Sequence, residues 1–305
     1  MSSKSFTGIF TPIVTPFTTD DTIDDGALRR NVDRWMKTPL TGLVVLGSNG
    51  EAAQLDDVEA DRVVEIVRER VPSDRPLIAG TGRESTKATI AATARAAAAG
   101  VDAVLVRTPS FFKAQMSAEI FVRHYTEVAD ASPVPVLLYN VTMFTGVTLQ
   151  LEAVERLAAH PNIVGMKESG GDISYISELV TRTPDDFTVL AGSATTFFHA
   201  LCAGCDGAIL ALAALLPAAC VRMQALVRDD RLAEARALQH WIMPLARSVG
   251  GTYGVAGLKA ALDLTGYNGG LPRPPLRPAP KAVVDTISGQ LVELGAFTEI
   301  TAEIH

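Results

Sequence analysis

Apolar residues fall along this chain in two alternating rhythms. Short runs rich in Val, Ile and Leu recur, and each is followed by a longer segment whose apolar positions return every three or four residues. The short runs occupy 8–14, 42–47, 76–80, 102–107, 135–140, 163–167, 187–192 and 207–212, which predicts eight strands. Several are apolar at consecutive positions, as parallel strands covered on both faces are. The intervening segments carry helix boundaries. Asp56 or Asp57 can cap a helix that stops before Pro72, and Ser85 or Thr86 can cap an alanine-rich helix that stops at Gly100. Unbroken strand–helix alternation predicts an α/β fold of the closed (β/α)8 kind, a TIM barrel, over a six-stranded open sheet.

After the eighth run the rhythm changes. Helices are expected at 217–227 and 231–249, with Pro244 kinking or dividing the second. The proline-rich stretch 271–280 must be extended or turn-like, and a last amphipathic helix follows at 281–294. That stretch reads as an ordered connector rather than a proline-recognition motif, because a helix follows at once. The organisation expected is a barrel core over 1–215, and a C-terminal helical region over 216–305 that completes and extends it.

Composition narrows the partners. With 305 residues, 48% of them hydrophobic, the chain can fill a large core and bury subunit interfaces. A formal net charge of −7 argues against nucleic acid, which calls for clustered Lys and Arg. No apolar segment reaches the roughly 20 residues that span a bilayer. The longest, 208–221, contains Pro217 and ends at Arg222. The first residues lack the apolar core of a signal peptide, so a cytoplasmic location is expected. Cys202 and Cys205 form a C-x-x-C pair, yet in an alanine-rich segment such thiols read as small core residues.

In a barrel of this type the active site lies at the carboxyl ends of the strands. Those ends read GSNGE (47–51), TPSFF (108–112), YNV (139–141), KESGG (167–171), AGS (191–193) and ILALA (209–213). Lys167 closes an apolar run, so desolvation at the barrel mouth favours the neutral amine that attacks carbonyl carbon. Alone, it reads equally as a lysine reaching to the rim. Tyr139 ends the preceding strand and would neighbour Lys167, where a phenol can move protons; taken singly it is as readily structural. The glycines around Ser48 and Asn49 allow a tight turn whose N–H groups can converge on a carboxylate.

The segments GIFTPIVTPF, GSNGE, YNV followed by TG, IVGMKESGGD and VLAGSA, in this order, resemble the pyruvate-dependent class I aldolases, the dihydrodipicolinate synthase and N-acetylneuraminate lyase family. The resemblance runs from about Gly8 to Leu276. Within that family the chain looks most like 4-hydroxy-2-oxoglutarate aldolase, on GSNGE, MKESGGD, SPVPVLLYNV and GLKAALDLTGYNGG. The resemblance implies a barrel with a C-terminal helical extension, a homotetramer built as a dimer of dimers, and no metal or other cofactor. It implies Lys167 as the Schiff-base lysine, Tyr139 as the proton-transfer phenol and Ser48 as a proton relay. Ser48 and Asn49 would hold the carboxylate of pyruvate or another 2-oxo acid. Ser169 would orient the substrate, and Gly192 and Ile209 would line its pocket.

Two positions depart from the family pattern. The second tyrosine of the relay, reached from a neighbouring subunit, falls by spacing on Phe111, which cannot pass a proton. Dihydrodipicolinate synthases carry a carboxylate-gripping arginine where this chain has Phe144, and Thr142 replaces a usual proline nearby. This counts against the biosynthetic synthase, and two phenylalanines at the pocket would also suit a less polar aldehyde. The alternatives are a 2-keto-3-deoxy sugar-acid aldolase or dehydratase on the same scaffold, the synthase itself, and a barrel that binds a 2-oxo acid without turning it over. Nothing in the spacing of His124, His160, His199, His240 and His305 suggests a metal site, and no dinucleotide or phosphate-loop motif is present.

Overall fold

The computed structural model describes residues 6–295. Eight parallel strands pair in chain order: β1 (Gly8–Pro12), β2 (Gly42–Val45), β3 (Leu77–Gly80), β4 (Ala103–Arg107), β5 (Val136–Asn140), β6 (Ile163–Glu168), β7 (Thr188–Ala191) and β8 (Gly207–Ile209). β8 returns to β1, and the expected barrel is closed. Around it run α1 (Asp25–Trp35), α2 (Asp57–Arg70), α3 (Thr86–Ala98), α4 (Ala118–Ala131), the short α5 (Thr142–Thr145), α6 (Leu151–Leu157), α7 (Ile173–Arg182), α8 (Phe197–Cys202) and α9 (Pro217–Arg228). Three more, α10 (Leu232–Arg247), α11 (Gly254–Leu264) and α12 (Lys281–Glu293), extend it.

The consecutive apolar residues of the strands serve two cores. Leu43, Val45, Leu77, Ala79, Val104 and Val106 face the helices, while Val44, Ile78 and Leu105 fill the barrel interior. Of the alternative helix caps, Asp56 forms a capping box with Glu59, and Ser85 accepts from Ala88 N–H. The predicted run 207–212 is shortened because 211–214 winds into a 3-10 turn, whose Ala214 carbonyl accepts from the Trp35 ring N–H at 3.0 Å. Pro244 neither ends nor divides its helix. It lies inside α10, where the buried Leu245 and Ala246 keep the chain helical across the lost backbone bond. The sequence reading did not assign α11 as an element; its apolar residues bury Leu258, Ala261 and Leu262.

β6 contains an irregularity that alternation alone does not predict. Val136 pairs with Ile163, but Leu137 pairs with Gly165, so Val164 is skipped. Val164 packs on the barrel interior, and after the skip Met166 belongs to the outer core. The phase of the strand is thereby reversed, and Lys167 turns inward. The bulge needs glycine: a Cβ at position 165 would lie 2.4 Å from the Thr188 carbonyl oxygen and 2.9 Å from Leu137 Cδ2. Gly165→Ala is therefore expected to destabilise the fold by about 1–3 kcal/mol, read as a lower urea midpoint. Gly289→Ala, on α12 where a Cβ meets nothing within 4 Å, is expected to raise that midpoint, by about 0.5–1 kcal/mol.

Candidate active site

Lys167 and Tyr139 form a register pair between β6 and β5. Lys167 Nζ donates to the Tyr139 hydroxyl oxygen at 3.4 Å and lies 4.4 Å from the centre of the tyrosine ring. Both residues are 6% exposed, so solvent barely reaches this contact. Ser48 Oγ stands 3.5 Å from the same hydroxyl, placing amine, phenol and alcohol in a file. These contacts are longer than formed hydrogen bonds, a common state of catalytic groups before a ligand draws them together. The file opens on a cavity of about 270 Å3 whose wall includes Asn49, Ser169, Gly192, Ile209 and Phe144. Of the residues singled out from sequence, only Phe111 is missing from it.

Ser48 and Asn49 lie in a 3-10 turn, Ser48–Gly50, bracketed by two left-handed residues, Leu46 (φ 56°) and Glu51 (φ 55°). A side chain in that region costs about 1–3 kcal/mol, which the surroundings must offset. Glu51 shows how. Its carboxylate pairs with Lys259 at 2.5 Å, both side chains being 1% exposed, and it accepts from Arg273 N–H at 2.8 Å. Lys259 Nζ also donates to the carbonyls of Thr15 at 2.8 Å and Leu271 at 2.6 Å. Thr15 Oγ1 in turn donates to the Gly50 carbonyl at 2.8 Å. Burial draws the Lys259 ammonium below the usual lysine range, and the Glu51 carboxylate opposes that pull. The C-terminal segment thus clamps the turn that carries Ser48. Sequence reasoning missed this pair, although Lys259 is the lone charge in the apolar stretch 254–262 and Glu51 follows an apolar strand.

Two further contacts shape the mouth. Glu168 accepts from Asn140 Nδ2 at 2.6 Å, and Asn140 Oδ1 accepts from Leu149 N–H at 3.0 Å, tying the strand ends to the loop that bears Phe144. Burial raises the Glu168 carboxyl above its usual range, against the lowering effect of its bonds to Asn140 and Gly170. Ser169 Oγ is buried without a hydrogen-bond partner among the described residues. A Cβ at position 192 would lie 1.9 Å from that oxygen, so glycine there leaves the hydroxyl its room.

Phe111 is expected from sequence to reach the site of a neighbouring subunit rather than that of its own chain. Within one chain it does not face the pocket: it is 78% exposed and packs edge-on against Phe112. The Glu84 carboxylate holds the backbone N–H groups of Ser110 and Phe111, each at 2.8 Å, and the ring is directed outward. Phe144, 61% exposed, forms part of the rim. Tyr125 cannot replace a missing phenol, because its hydroxyl is buried against the Val106 carbonyl at 3.2 Å and burial drives its pKa upward. The thiols are not poised for redox chemistry: burial pushes Cys205 up to about 12, and Cys202 closes α8 rather than opening a helix.

A second chamber of about 600 Å3 shares Ser48, Tyr139 and Phe144 with the first. Its arginines are already answered, Arg107 by Glu84 at 2.8 Å and Arg83 by Asp57 at 3.5 Å. Among the described residues no group of three or more His, Cys, Asp or Glu is placed to hold a metal ion, and no helix is long and apolar enough to cross a membrane.

A closed eight-stranded barrel with a buried lysine and phenol and a half-buried alcohol at its mouth has the make-up of a barrel lyase. The chain belongs to the dihydrodipicolinate synthetase family, whose sequence profile matches residues 5–293. It is an enzyme of that family's kind, a lyase of the pyruvate-dependent class I aldolase group. A 4-hydroxy-tetrahydrodipicolinate synthase of Methanopyrus kandleri is 33% identical over 273 residues, covering 89% of this chain and 90% of the relative. A protein of Emericella nidulans named "Probable 4-hydroxy-2-oxoglutarate aldolase, mitochondrial" is 38% identical over 208 residues, 67% of each chain. Among solved structures, a prophage protein of the dihydrodipicolinic acid synthase family from E. coli K12, in complex with pyruvate, superposes with a TM-score of 0.89 at 28% identity, covering 95% of this chain and 99% of that one.

Removing one member of the clamp leaves a buried charge unpaired. Lys259→Met is expected to cost about 3–5 kcal/mol in urea unfolding, and the double variant Lys259→Met/Glu51→Gln to recover part of the loss.

Proposed function

We propose that this enzyme cleaves 4-hydroxy-2-oxoglutarate to pyruvate and a two-carbon oxo acid through a Schiff base on Lys167. The observation that carries this reading is the file Lys167 Nζ, Tyr139 OH and Ser48 Oγ, spaced at 3.4 and 3.5 Å in a shielded cavity. The Lys167 amine adds to the C2 carbonyl carbon. Tyr139 passes protons as the carbinolamine loses water and the imine forms. The C4 hydroxyl then gives its proton to the Tyr139–Ser48 relay, the C3–C4 bond breaks, and the electron pair moves into the enamine. Protonation at C3 and hydrolysis of the imine release pyruvate and restore the lysine. Ser48 and Asn49 hold the C1 carboxylate with the N–H groups of their turn. The partnerless Ser169 hydroxyl contributes a bond to the substrate, while Gly192 and Ile209 complete the wall. The E. coli K12 relative in complex with pyruvate and the aldolase-named relative support this reading. The many relatives named as synthases favour the synthase instead; Phe144 stands where synthases carry arginine, and the distal carboxylate of 4-hydroxy-2-oxoglutarate likewise finds no grip at that position.

The organisation proposed remains a barrel over 1–215 with its completing helices over 216–305, of which 1–5 and 296–305 lie outside the described residues. The apolar exposure of Phe111, Phe112, Met143 and Phe144 supports assembly into a dimer of dimers.

The test is pyruvate release, coupled to lactate dehydrogenase, from 4-hydroxy-2-oxoglutarate, N-acetylneuraminate and 2-keto-3-deoxy sugar acids, with 4-hydroxy-tetrahydrodipicolinate synthesis assayed in parallel. Rapid release from 4-hydroxy-2-oxoglutarate alone is expected. Synthase activity, or selective turnover of a sugar acid, would refute the substrate assignment. Lys167→Ala is expected to lose both turnover and borohydride trapping of pyruvate, and Tyr139→Phe to slow turnover by about 10²–10⁴-fold. Phe111→Tyr is expected to leave the rate unchanged or raise it; a large loss would show that an apolar ring is required there.

A further inference from the structure

With Phe144 unable to grip an anion, the distal end of a dicarboxylate needs another partner. Among the described residues the wall of the chamber around Lys167 contains no Asp or Glu, and its basic side chains are Lys167 and Arg247. Arg247 is the last residue of α10, and its exposed side chain makes no ion pair or hydrogen bond among the described residues. This sets it apart from Arg83 and Arg107 in the adjoining chamber, whose charges are matched by Asp57 and Glu84. The hydroxyls of Ser193, Thr195 and Thr252 share the same wall, the first two hydrogen-bonded to each other at 2.9 Å. The turn that follows Arg247 passes through Gly250 and Gly251, which line the same chamber and where a Cβ would meet no atom within 4 Å; the arginine also borders a surface hollow with His240 and Gln290.

We propose that Arg247 determines specificity for 2-oxo acids carrying a second carboxylate, by gripping that carboxylate while Lys167 engages the 2-oxo group. A guanidinium offers a bidentate fork to a carboxylate, and with no Asp or Glu in the cavity wall nothing there competes with substrate for Arg247. The arginine comes from the C-terminal extension and stands in for the charge that Phe144 omits from the β5 loop. A competing role exists for a cation at this place, since the last turn of a helix favours positive charge whether or not substrate binds.

This assignment rests on the Schiff-base reading of Lys167, and the test separates the two. Arg247→Gln and Arg247→Lys are compared with the parent enzyme on 4-hydroxy-2-oxoglutarate and on 4-hydroxy-2-oxopentanoate, which has a methyl group in place of the distal carboxylate. Borohydride trapping of pyruvate and the thermal midpoint are measured alongside. The expected result is that Arg247→Gln lowers the kcat/KM ratio of the dicarboxylate over the methyl analogue ten-fold or more. The loss falls mainly in KM, and Arg247→Lys restores part of the ratio. An unchanged ratio overturns the proposal. So does an equal loss on both substrates with a lowered thermal midpoint, because that is the signature of a helix-end role alone. Failure of the parent enzyme to be trapped by pyruvate refutes the Schiff-base reading itself, whatever the ratio does.

Discussion

The geometry of this site depends on a parity. Along a strand, successive side chains point to opposite faces, so each residue of β6 is committed either to the chamber or to the helices. Skipping Val164 shifts that commitment by one, and it is this shift that gives Lys167 to the chamber and Met166 to the outer core. A side chain at position 165 would collide with β7, so only the smallest residue allows the shift. The register pair of Lys167 with Tyr139 and the place of the lysine in the cavity wall follow from that one irregularity.

Most of the barrel was legible because its signals are local. Consecutive apolar residues marked strands buried on two faces, and Asp56 and Ser85 marked the starts of helices. The strand-end residues Ser48, Asn49, Tyr139, Phe144, Lys167, Ser169, Gly192 and Ile209 meet at one cavity because closure brings strand ends together. What the sequence hid is non-local or depends on side-chain direction. Phe111 occupies the strand-end loop that the pattern indicated, yet its orientation is set by Glu84, from the loop before. Lys259 and Arg247 lie beyond the eighth strand, where no rule relates sequence position to the barrel mouth.

Charge is distributed unevenly around the mouth. Glu51 and Lys259 neutralise each other out of reach of solvent, and Glu84 and Arg107 do so at the edge of the larger chamber. Lys167 and Arg247 are left beside the smaller one with no acid in its wall. Ion pairs that add little net stability therefore still decide which basic side chains stay free to meet a ligand.

The clamp on the Ser48 turn also imposes an order of assembly. Arg273 N–H reaches Glu51 across 222 residues, and Lys259 reaches Thr15 across 244. Closing loops of this length adds little entropy beyond shorter ones, but both ends must exist first. On a ribosome, the strained turn and the lysine can thus both be made long before the segment that holds the turn in place has left the exit tunnel. Until then the nascent chain carries a buried-type acid without its cation, and the turn stays unclamped until Lys259 and Arg273 have been made.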